Sequence, residues 1–522
     1  MKIIRSIISA VALLILSPVT QAQTKTTPEQ IKFTRQGVKR LVFDREQAVS
    51  LATLKPETII GLAVMHPNQP EPGQTAAVVS TDQNMLIVQS HDETQTAIWL
   101  GGFNPFATYI IDLAFATGEN FVGFEFTDAN RAERMLVYAT FKDTLITDVR
   151  LKVIRNKEIV ADRSIAVNNK EPGLIGHGII LQMLGSGLVM YSQNKGLPKV
   201  IAQADYNKQA DLRGKQYLNG FHTNLYLGTK NGEIKISRAD IALTAGMRLA
   251  DIRPVTYEDG EPMIDQGRLW YTMSIRGRGL PHALQGVFSM NPSVFDIKFE
   301  GIVVFDRNDG ILRNEVASHL FFDRKNKMWR GVTTGFSAYA NPEKEKKQLL
   351  IIESKRDPRF GFSIMNARPF QMVGDMEDPH MLYDARAKKW RMISCTNQNG
   401  YKAILSESDE WDRGYKQIAG PVTHNSTGTS LQRVDGQLYA FSGSNENKLF
   451  IYTYPELKET GILKMDLPPW NDTSGSRVWP NIVHLPEGYP FKYIALTMDR
   501  FNYPGMQGQN WTYGALYLYH GY

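Results

Sequence analysis

Two acidic residues occupy equivalent positions in two similar segments of this chain. The segment EDPHMLYDARAKKWRMIS runs from Glu377 to Ser394, and DGEPMIDQGRLWYTMS begins at Asp259. Aligning the segments pairs Asp378 with Glu261, each directly before a proline. Cleavage of a glycosidic bond by water needs a protonated carboxylic acid and a carboxylate that acts as base or nucleophile. We predict Glu261 as the acid, because glutamate reaches further and burial readily raises its pKa, and Asp378 as the base or nucleophile. The alternative is that each residue only starts a strand before proline.

The same pattern recurs through the C-terminal two-thirds of the chain and predicts how the acids are positioned. Each unit has a turn, a small or charged residue, a short apolar strand, a polar turn and an aromatic-rich strand. Repeats of roughly 40 to 50 residues with several strands each are typical of propeller blades, whose inner strands begin around one central cavity. Six motifs are counted, and five blades remain possible if the first or last is not a blade. The aligned residues are His177, Glu261, Ala317, Asp378, Gly428 and Trp479.

The part of the chain before these repeats predicts a separate β unit. In residues 23–166, short apolar or alternating runs are separated by turn clusters, which is typical of a β-sandwich. Its role is either an accessory, carbohydrate-binding one or a purely structural one. Residues 167–522 are predicted to form the propeller and the candidate catalytic domain. The last repeat has only three evident strands, so we expect a fourth strand from the start of the propeller region to close the ring. The predicted fold class is therefore all-β, an N-terminal β-sandwich followed by a β-propeller.

The N-terminus and the composition predict an exported protein. Residues 1–22 have a positive start, an apolar run too short for a membrane span, and a small residue at Ala22, as in a secretory signal peptide. We expect a bacterial protein that is periplasmic or secreted, without membrane insertion of the mature chain. The single cysteine, Cys395, excludes an internal disulfide and is predicted to be a buried thiol. The formal charge is +6 without a basic run, which argues against nucleic acid as a partner and is compatible with acidic substrates.

The EDPH segment, its tight turn and the aromatic strand that follows resemble the propeller glycoside hydrolases. The group that includes glycoside hydrolase families 32, 43 and 117 is the most similar. In that group, Asp-Pro or Glu-Asp-Pro segments begin inner strands and put acidic side chains into a central pocket. The resemblance extends over roughly Gly176 to Tyr522. It implies a secreted glycoside hydrolase that uses two carboxylates on plant or algal polysaccharide fragments, acidic sugars among them.

The sequence departs from the family pattern at the first repeat. In family 43-like enzymes the first blade contributes an acidic residue, whereas the aligned residue here is His177. Asp205 and Asp211, in an inserted segment between the first two repeats, are the candidates to replace it.

A Gly-rich loop after the second strand of the Glu261 repeat is predicted to bind an acidic group. The run SIRGRGLPH contains Arg276, Arg278 and His282. A guanidinium group suits bidentate recognition of a carboxylate, so a uronic or other sugar acid is the expected ligand. The alternative is a solvated basic loop.

Further substrate-binding candidates lie at or near the starts of the repeats. Glu377 precedes Asp378, and the alternation of a regular strand predicts that it points to the opposite face. The tryptophan of the last repeat is expected either to stack on a sugar ring or to fill the propeller core. The remaining candidates share this location and are His177, His319, His380, Thr427, Arg477 and Trp479.

Two other functions remain open from the residues alone. A polysaccharide lyase would use His, Arg or Tyr side chains on a uronate-containing glycan, and a non-catalytic propeller would only bind an oligo- or polysaccharide. The chain has no HExxH, P-loop, paired CxxC, GxSxG or EF-hand motif. No cofactor or metal site is predicted; a structural Ca²⁺ in the channel is compatible with the many oxygen ligands, but no ligand set indicates one.

Overall fold

A computed structural model describes residues 25–41, 45–56, 62–74, 77–167, 177–276, 278–372, 374–470, 479–507 and 515–522. The predicted signal peptide and Arg477 lie outside these ranges. Strands dominate, which confirms the all-β class. Among the described residues, the helical elements are α1 (Leu62–Met65), α2 (Lys215–Gly220) and the 3₁₀ turns Pro28–Gln30, Arg45–Gln47 and Phe336–Ala340. Within the described residues, no helix has the length and apolar character needed to cross a membrane.

After β1 (Phe33–Lys39), thirteen strands pair into one continuous sheet, called here the N-terminal sheet. Its longest members pair antiparallel along most of their length and bury apolar side chains such as Leu113 and Ile236. Because all thirteen strands share one hydrogen-bonded sheet, the separate sandwich stays a prediction. The strands are β2 (Val49–Leu54), β3 (Asn68–Pro70), β4 (Val78–Asp82), β5 (Met85–Ser90), β6 (Thr94–Gly102), β7 (Thr108–Asp128), β8 (Arg134–Lys142), β9 (Leu145–Arg155), β10 (Glu158–Ser164), β11 (His177–Met183), β12 (Gly187–Gln193), β13 (Lys199–Asp205) and β14 (Phe221–Leu243).

The sheet continues past the predicted domain boundary at residues 166/167. His177 begins β11, where it pairs with Leu113 of β7, so the first of the six motifs belongs to the N-terminal sheet and not to a blade. The hairpin of β11 and β12 resembles a blade start in sequence because both are two adjacent apolar strands joined by a tight turn. Except for β1, the strands of the propeller therefore all follow β14.

Five four-stranded antiparallel units form the propeller, and the outer strands of the first two, residues 298–306 and 361–369, pair in parallel, so these two units share one eleven-stranded sheet. Residues 249–313 form β15 (Leu249–Pro254), β16 (Thr256–Tyr257), β17 (Ile264–Asp265), β18 (Arg268–Ile275), β19 (Leu284–Met290), β20 (Lys298–Asp306) and β21 (Leu312–Arg313), of which β15, β18, β19 and β20 are blade one. Blade two is β22 (Val316–Asp323), β23 (Met328–Thr334), β24 (Leu349–Ser354) and β25 (Gly361–Pro369). Blade three is β26 (Met376–Asp384), β27 (Lys389–Asn397), β28 (Tyr401–Ser408) and β29 (Lys416–Ala419). Blade four is β30 (Thr427–Val434), β31 (Gln437–Gly443), β32 (Leu449–Thr453) and β33 (Glu459–Ile462).

The ring is closed by a strand from the other end of the chain. Blade five contains β34 (Ile482–His484), β35 (Tyr493–Met498) and β36 (Leu516–Gly521), and β1 pairs antiparallel with β36 as its outer strand. Neighbouring inner strands contact one another from blade one to blade five, and β35 contacts β15 to complete the circle. The fourth strand was expected from the start of the propeller region. It comes instead from before the N-terminal sheet, which is thus inserted between the two parts of the propeller.

Four blades start with the same backbone irregularity. The residue at each irregularity has a positive φ of 53° to 59°, and the strand register shifts there. Such a bulge bends the strand and redirects its side chains, and a positive φ is uncommon for a residue other than glycine. The four residues are Asp251, Ala317, Asp378 and Gly428. The structural equivalent of Asp378 in blade one is therefore Asp251, not Glu261.

Candidate active site

The blade starts surround a cavity of about 410 Å³, called here the central cavity. Four of the predicted site residues line it, namely Glu377, Asp378, Thr427 and Trp479. The other lining residues, which sequence reasoning did not place in the site, are Arg248, Asp251, Leu280, Val316, Phe336, Tyr339, Tyr401 and Arg500.

Three carboxyl groups reach the central cavity from two blades. Asp251 starts blade one, whereas Glu377 and Asp378 start blade three, so one blade separates the two positions around the ring. The prediction that Glu377 points to the opposite face is wrong, because the bulge at Asp378 breaks the alternation of the strand. Consecutive acidic residues therefore line the same cavity.

Glu377 has the environment of a proton donor. Burial and the neighbouring charge of Asp378 raise the pKa of Glu377 to about 7, although Lys347 acts in the opposite direction. The Lys347 ammonium group lies 3.2 Å from the Glu377 carboxylate and also contacts Asp375 and Tyr401. A carboxyl group with this pKa is substantially protonated at neutral pH, which is the state a general acid requires.

Asp378 and Asp251 differ in the hydrogen bonds that their carboxylate oxygens accept. The Oδ2 atom of Asp378 accepts hydrogen bonds from the Gly428 amide at 2.8 Å and the Thr427 hydroxyl at 3.2 Å. Burial and the charge of Asp251 raise the pKa of Asp378. Asp251 is only partly buried and accepts a hydrogen bond from the Ser274 hydroxyl at 2.5 Å. Asp251 is thus the more accessible of the two aspartates.

A buried arginine fixes the backbone beneath these acids. The Arg253 guanidinium donates to the carbonyl oxygens of Asp378 and Thr429, both at 2.7 Å, and lies 4.5 Å from the Trp479 ring. Burial lowers its pKa to about 10, so it remains charged at neutral pH. This side chain, from blade one, ties together the starts of blades three and four.

Two of the four predicted substrate-binding histidines belong to the same buried layer. His319 and His380 stack with ring centroids 4.0 Å apart and are at most 1% exposed. A His319 ring nitrogen accepts the Met381 amide at 3.2 Å, and burial lowers the pKa of both imidazoles. They do not line the central cavity, so their role is to fill the propeller core. Each histidine lies two residues further along its strand than the residue at the bulge, which is too deep to reach the cavity.

Glu261 does not join the acids. It lies between β16 and β17, its side chain is 48% exposed, and it forms an ion pair with Arg433 at 3.1 Å. The alignment error came from the proline that follows Glu261, which imitates the Asp-Pro step of blade three. Asp251, ten residues earlier in the run LADIRP, has no proline directly after it, so the motif used for the alignment did not mark it.

The three predicted binding residues of the Gly-rich loop lie outside the central cavity, although Leu280 of the same loop lines it. Arg276 is fully buried and donates to the carbonyl oxygens of Phe106, Met183 and Thr244, which joins blade one to the N-terminal sheet. Burial lowers its pKa to about 9. Arg278 and His282 instead both contact Asp205, in a neighbouring cavity.

The tight contact between Gly428 and Trp479 gives a stability prediction. A Cβ atom at Gly428 would lie 2.5 Å from the Trp479 ring, and its φ of +59° is already unfavourable for alanine. We expect Gly428→Ala to destabilise the protein by about 3 kcal/mol, as overpacking adds to backbone strain. Gly436→Ala is the matched control, because its φ is +74° but nothing lies within 4 Å, and should cost only about 1 kcal/mol. Urea unfolding, followed by tryptophan fluorescence, measures the free energy of unfolding of both variants. An equal loss of stability in the two variants would contradict the contact between Gly428 and Trp479.

A search of the described residues finds no group of three or more His, Cys, Asp or Glu side chains placed to hold a metal ion.

Comparison with known proteins gives structural matches only. No protein-family model matches the sequence, and no curated protein matches it. Among solved structures, the inulosucrase of Halalkalicoccus jeotgali with bound kestose has a TM-score of 0.34 at 10% identity, over 48% of this chain and 76% of that one. The chain is similar in fold to propeller glycoside hydrolases.

Two further structures belong to families that the sequence resembles. A GH43_1 enzyme of Xanthomonas citri has a TM-score of 0.36 at 11% identity, over 52% of this chain and 88% of that one. A family 117 glycoside hydrolase of the marine bacterium Zobellia galactanivorans has a TM-score of 0.37 at 9% identity, over 53% of this chain and 84% of that one. At these values the likeness concerns the fold, and the function must be argued from the side chains of the site.

Proposed function

We propose that this chain is a secreted glycoside hydrolase that cleaves plant or algal polysaccharide fragments in the central cavity. The observation that carries the proposal is the convergence of three carboxyl groups on one cavity, one of them with a pKa raised to about 7. Titratable groups whose environments separate their pKa values are the usual basis of acid and base assignments. The resemblance of the EDPH segment to families 32, 43 and 117 points to the same chemistry.

Glu377 is the proposed general acid. Its protonated form donates a proton to the oxygen of the leaving sugar as the bond to the anomeric carbon breaks. Lys347 and Tyr401 keep the side chain in place, and burial together with repulsion from the Asp378 carboxylate raises its pKa. Glu377 thus takes the role of general acid that the sequence analysis predicted for Glu261.

Asp251 is the proposed base or nucleophile. It starts blade one, is partly exposed to the cavity, and has one carboxylate oxygen without a bond to Ser274. As a base it removes a proton from water that attacks the anomeric carbon; as a nucleophile it forms that bond itself, and water later releases the sugar. Asp378 has one oxygen occupied by Gly428 and Thr427, so its proposed role is to position the site and tune Glu377.

The other lining residues favour a sugar ligand with an acidic group. Arg248 and Arg500 line the central cavity together with Trp479 and Tyr339. Aromatic faces suit sugar rings, and guanidinium groups suit carboxylates. Of the three histidines considered for a lyase mechanism, His319 and His380 are buried beneath the cavity, which argues against either of them as the base of an elimination.

A product-release screen on plant and algal polysaccharides tests the proposal. We expect new reducing ends without new ultraviolet absorbance, because hydrolysis leaves no unsaturated sugar. Reducing ends together with absorbance near the ultraviolet maximum of an unsaturated uronate would identify a lyase. Binding of a polysaccharide without any release would identify a non-catalytic propeller.

A further inference from the structure

A second cavity of about 410 Å³ adjoins the central cavity, and we call it the junction cavity. Tyr339 lines both cavities, and of the consecutive residues Leu280 and Pro281 the first lines the central cavity and the second the junction cavity. The Tyr339 side chain is not covered, since the residue is 46% exposed. An extended ligand can therefore pass from one cavity to the other over this ring.

The junction cavity lies where the N-terminal sheet meets the propeller. The N-terminal sheet and the segment after β13 supply Arg163, Ser186, Asp205 and Lys208. The propeller supplies His282 and the stretch from Tyr339 to Pro342. Asn207 also joins the two parts, because its amide donates to the Ala340 carbonyl oxygen at 2.6 Å. The cavity walls are thus held together by contacts between the two parts of the chain.

The charges at this cavity are mainly positive. The Asp205 carboxylate is paired with Arg278 and lies 3.1 Å from the His282 imidazole, whose pKa is held well below its usual range by burial and by nearby arginines. Arg163 donates to the Asp205 carbonyl oxygen at 2.7 Å and remains exposed, as does Lys208. Arg163 and Lys208 are therefore two exposed cations at the cavity, in addition to Arg278, which neutralises Asp205.

A buried hydroxyl group also faces this cavity without a partner. Ser186 is 1% exposed and lines the cavity, and its Oγ atom forms no hydrogen bond with any described residue. Buried polar groups in native proteins are rarely left unsatisfied, so such a group at a cavity wall indicates a site for a polar ligand. Gly187 next to it packs closely against the cavity wall, because a Cβ atom there would lie 2.6 Å from the His282 ring.

We infer that the junction cavity is a subsite for an anionic sugar unit of the same chain whose reacting bond occupies the central cavity. Arg163 and Lys208 contact the carboxylate or sulfate group, and Ser186 contacts a hydroxyl group of the ring. The inference rests on the proposed function, and it assigns the N-terminal sheet a part in substrate selection.

The test compares charged and uncharged versions of the same oligosaccharide. The probes are tetragalacturonate and its methyl ester, and a κ-carrageenan tetrasaccharide and its desulfated form. Calorimetry measures their binding to the full chain, with Glu377→Gln in the background to prevent turnover. We expect Arg163→Gln/Lys208→Gln to weaken binding of one charged probe at least about tenfold, the loss expected for a charge-assisted contact, and its uncharged partner less than about twofold. The probe that responds distinguishes a carboxylate from a sulfate subsite.

Matched variants separate this subsite from general charge effects. Lys325→Gln/Arg356→Gln removes the same two charge types from exposed positions in blade two and should leave every affinity unchanged. Ser186→Ala should weaken charged and uncharged probes alike. Equal binding of a charged probe by the Arg163→Gln/Lys208→Gln variant and its parent would overturn the inference, as would the absence of binding by both charged probes.

The outcomes for the subsite and for the hydrolase are distinguishable. Loss of affinity in the double variant without any bond cleavage by the wild type supports the subsite and refutes the hydrolase. Hydrolysis of a charged chain by the wild type with an unchanged KM in the double variant supports the hydrolase and refutes the subsite.

Discussion

Replacing Glu377 by glutamine is expected to lower kcat on an unactivated glycan at least about 100-fold, the usual contribution of a general acid. Glutamine keeps the size of the side chain but cannot donate a proton to the leaving oxygen. A glycoside with a dinitrophenyl leaving group needs no such proton, so we expect the variant to retain most of the wild-type rate on that substrate. Steady-state kinetics on the two substrates measure the difference.

The pH dependence of the wild type should report the same group. Because the pKa of Glu377 is raised to about 7, the acid is protonated below that pH, and kcat/KM should fall as the pH rises through it. The variant should lack this decline. Glu261→Gln is the matched control, since Glu261 is exposed and paired with Arg433 outside the cavity, and it should keep wild-type activity. A large loss in Glu261→Gln with full activity in Glu377→Gln would reverse the assignment.

The repeated part of the fold was predictable because each blade has its own local pattern. Blades three and four each combine alternating strands with polar turns, and the structure has their strands at residues 376–419 and 427–462. Ring closure was not predictable in the same way, because β1 and β36 are separated by almost the whole chain and neither sequence specifies its partner. The β11–β12 hairpin shows the converse problem, since an isolated hairpin of the N-terminal sheet has the same alternation as a blade start.

A site residue was predictable where a recognisable sequence motif marks the backbone bulge that directs its side chain into the cavity. Asp378 was found because the EDP run marks it, and Thr427 and Trp479 followed from the repeat. Asp251 lacks a following proline, and its position depends on a positive φ that no local pattern in the sequence indicates. Glu377 was assigned to the wrong face for the same reason, since strand alternation holds only where the backbone is regular. Tyr339 and Arg500 reach the cavity from parts of the chain far from any blade start that the repeat marks.

Replacing Asp251 by asparagine is expected to lower kcat at least about 1,000-fold, because the variant has neither a base nor a nucleophile for the attack on the anomeric carbon. The loss should extend to the dinitrophenyl glycoside, unlike that of Glu377→Gln, since a better leaving group does not replace the attacking group. Added azide should restore turnover of that substrate by entering the space of the carboxylate. Nuclear magnetic resonance should then identify a glycosyl azide whose anomeric configuration is inverted relative to the substrate.

Two comparisons make the Asp251 assignment specific. Asp409→Asn changes an aspartate of blade three that is 81% exposed and paired only with Lys389 among the described residues, so its activity should equal that of the wild type. Asp378→Asn should lower activity without azide rescue, because one Asp378 oxygen is occupied by Gly428 and Thr427 and its charge acts on Glu377. Its pH profile should also shift, since removing that charge lowers the pKa of Glu377 and moves the loss of activity to lower pH. Azide rescue of Asp378→Asn but not of Asp251→Asn would exchange the roles of the two aspartates and leave Glu377 as the acid.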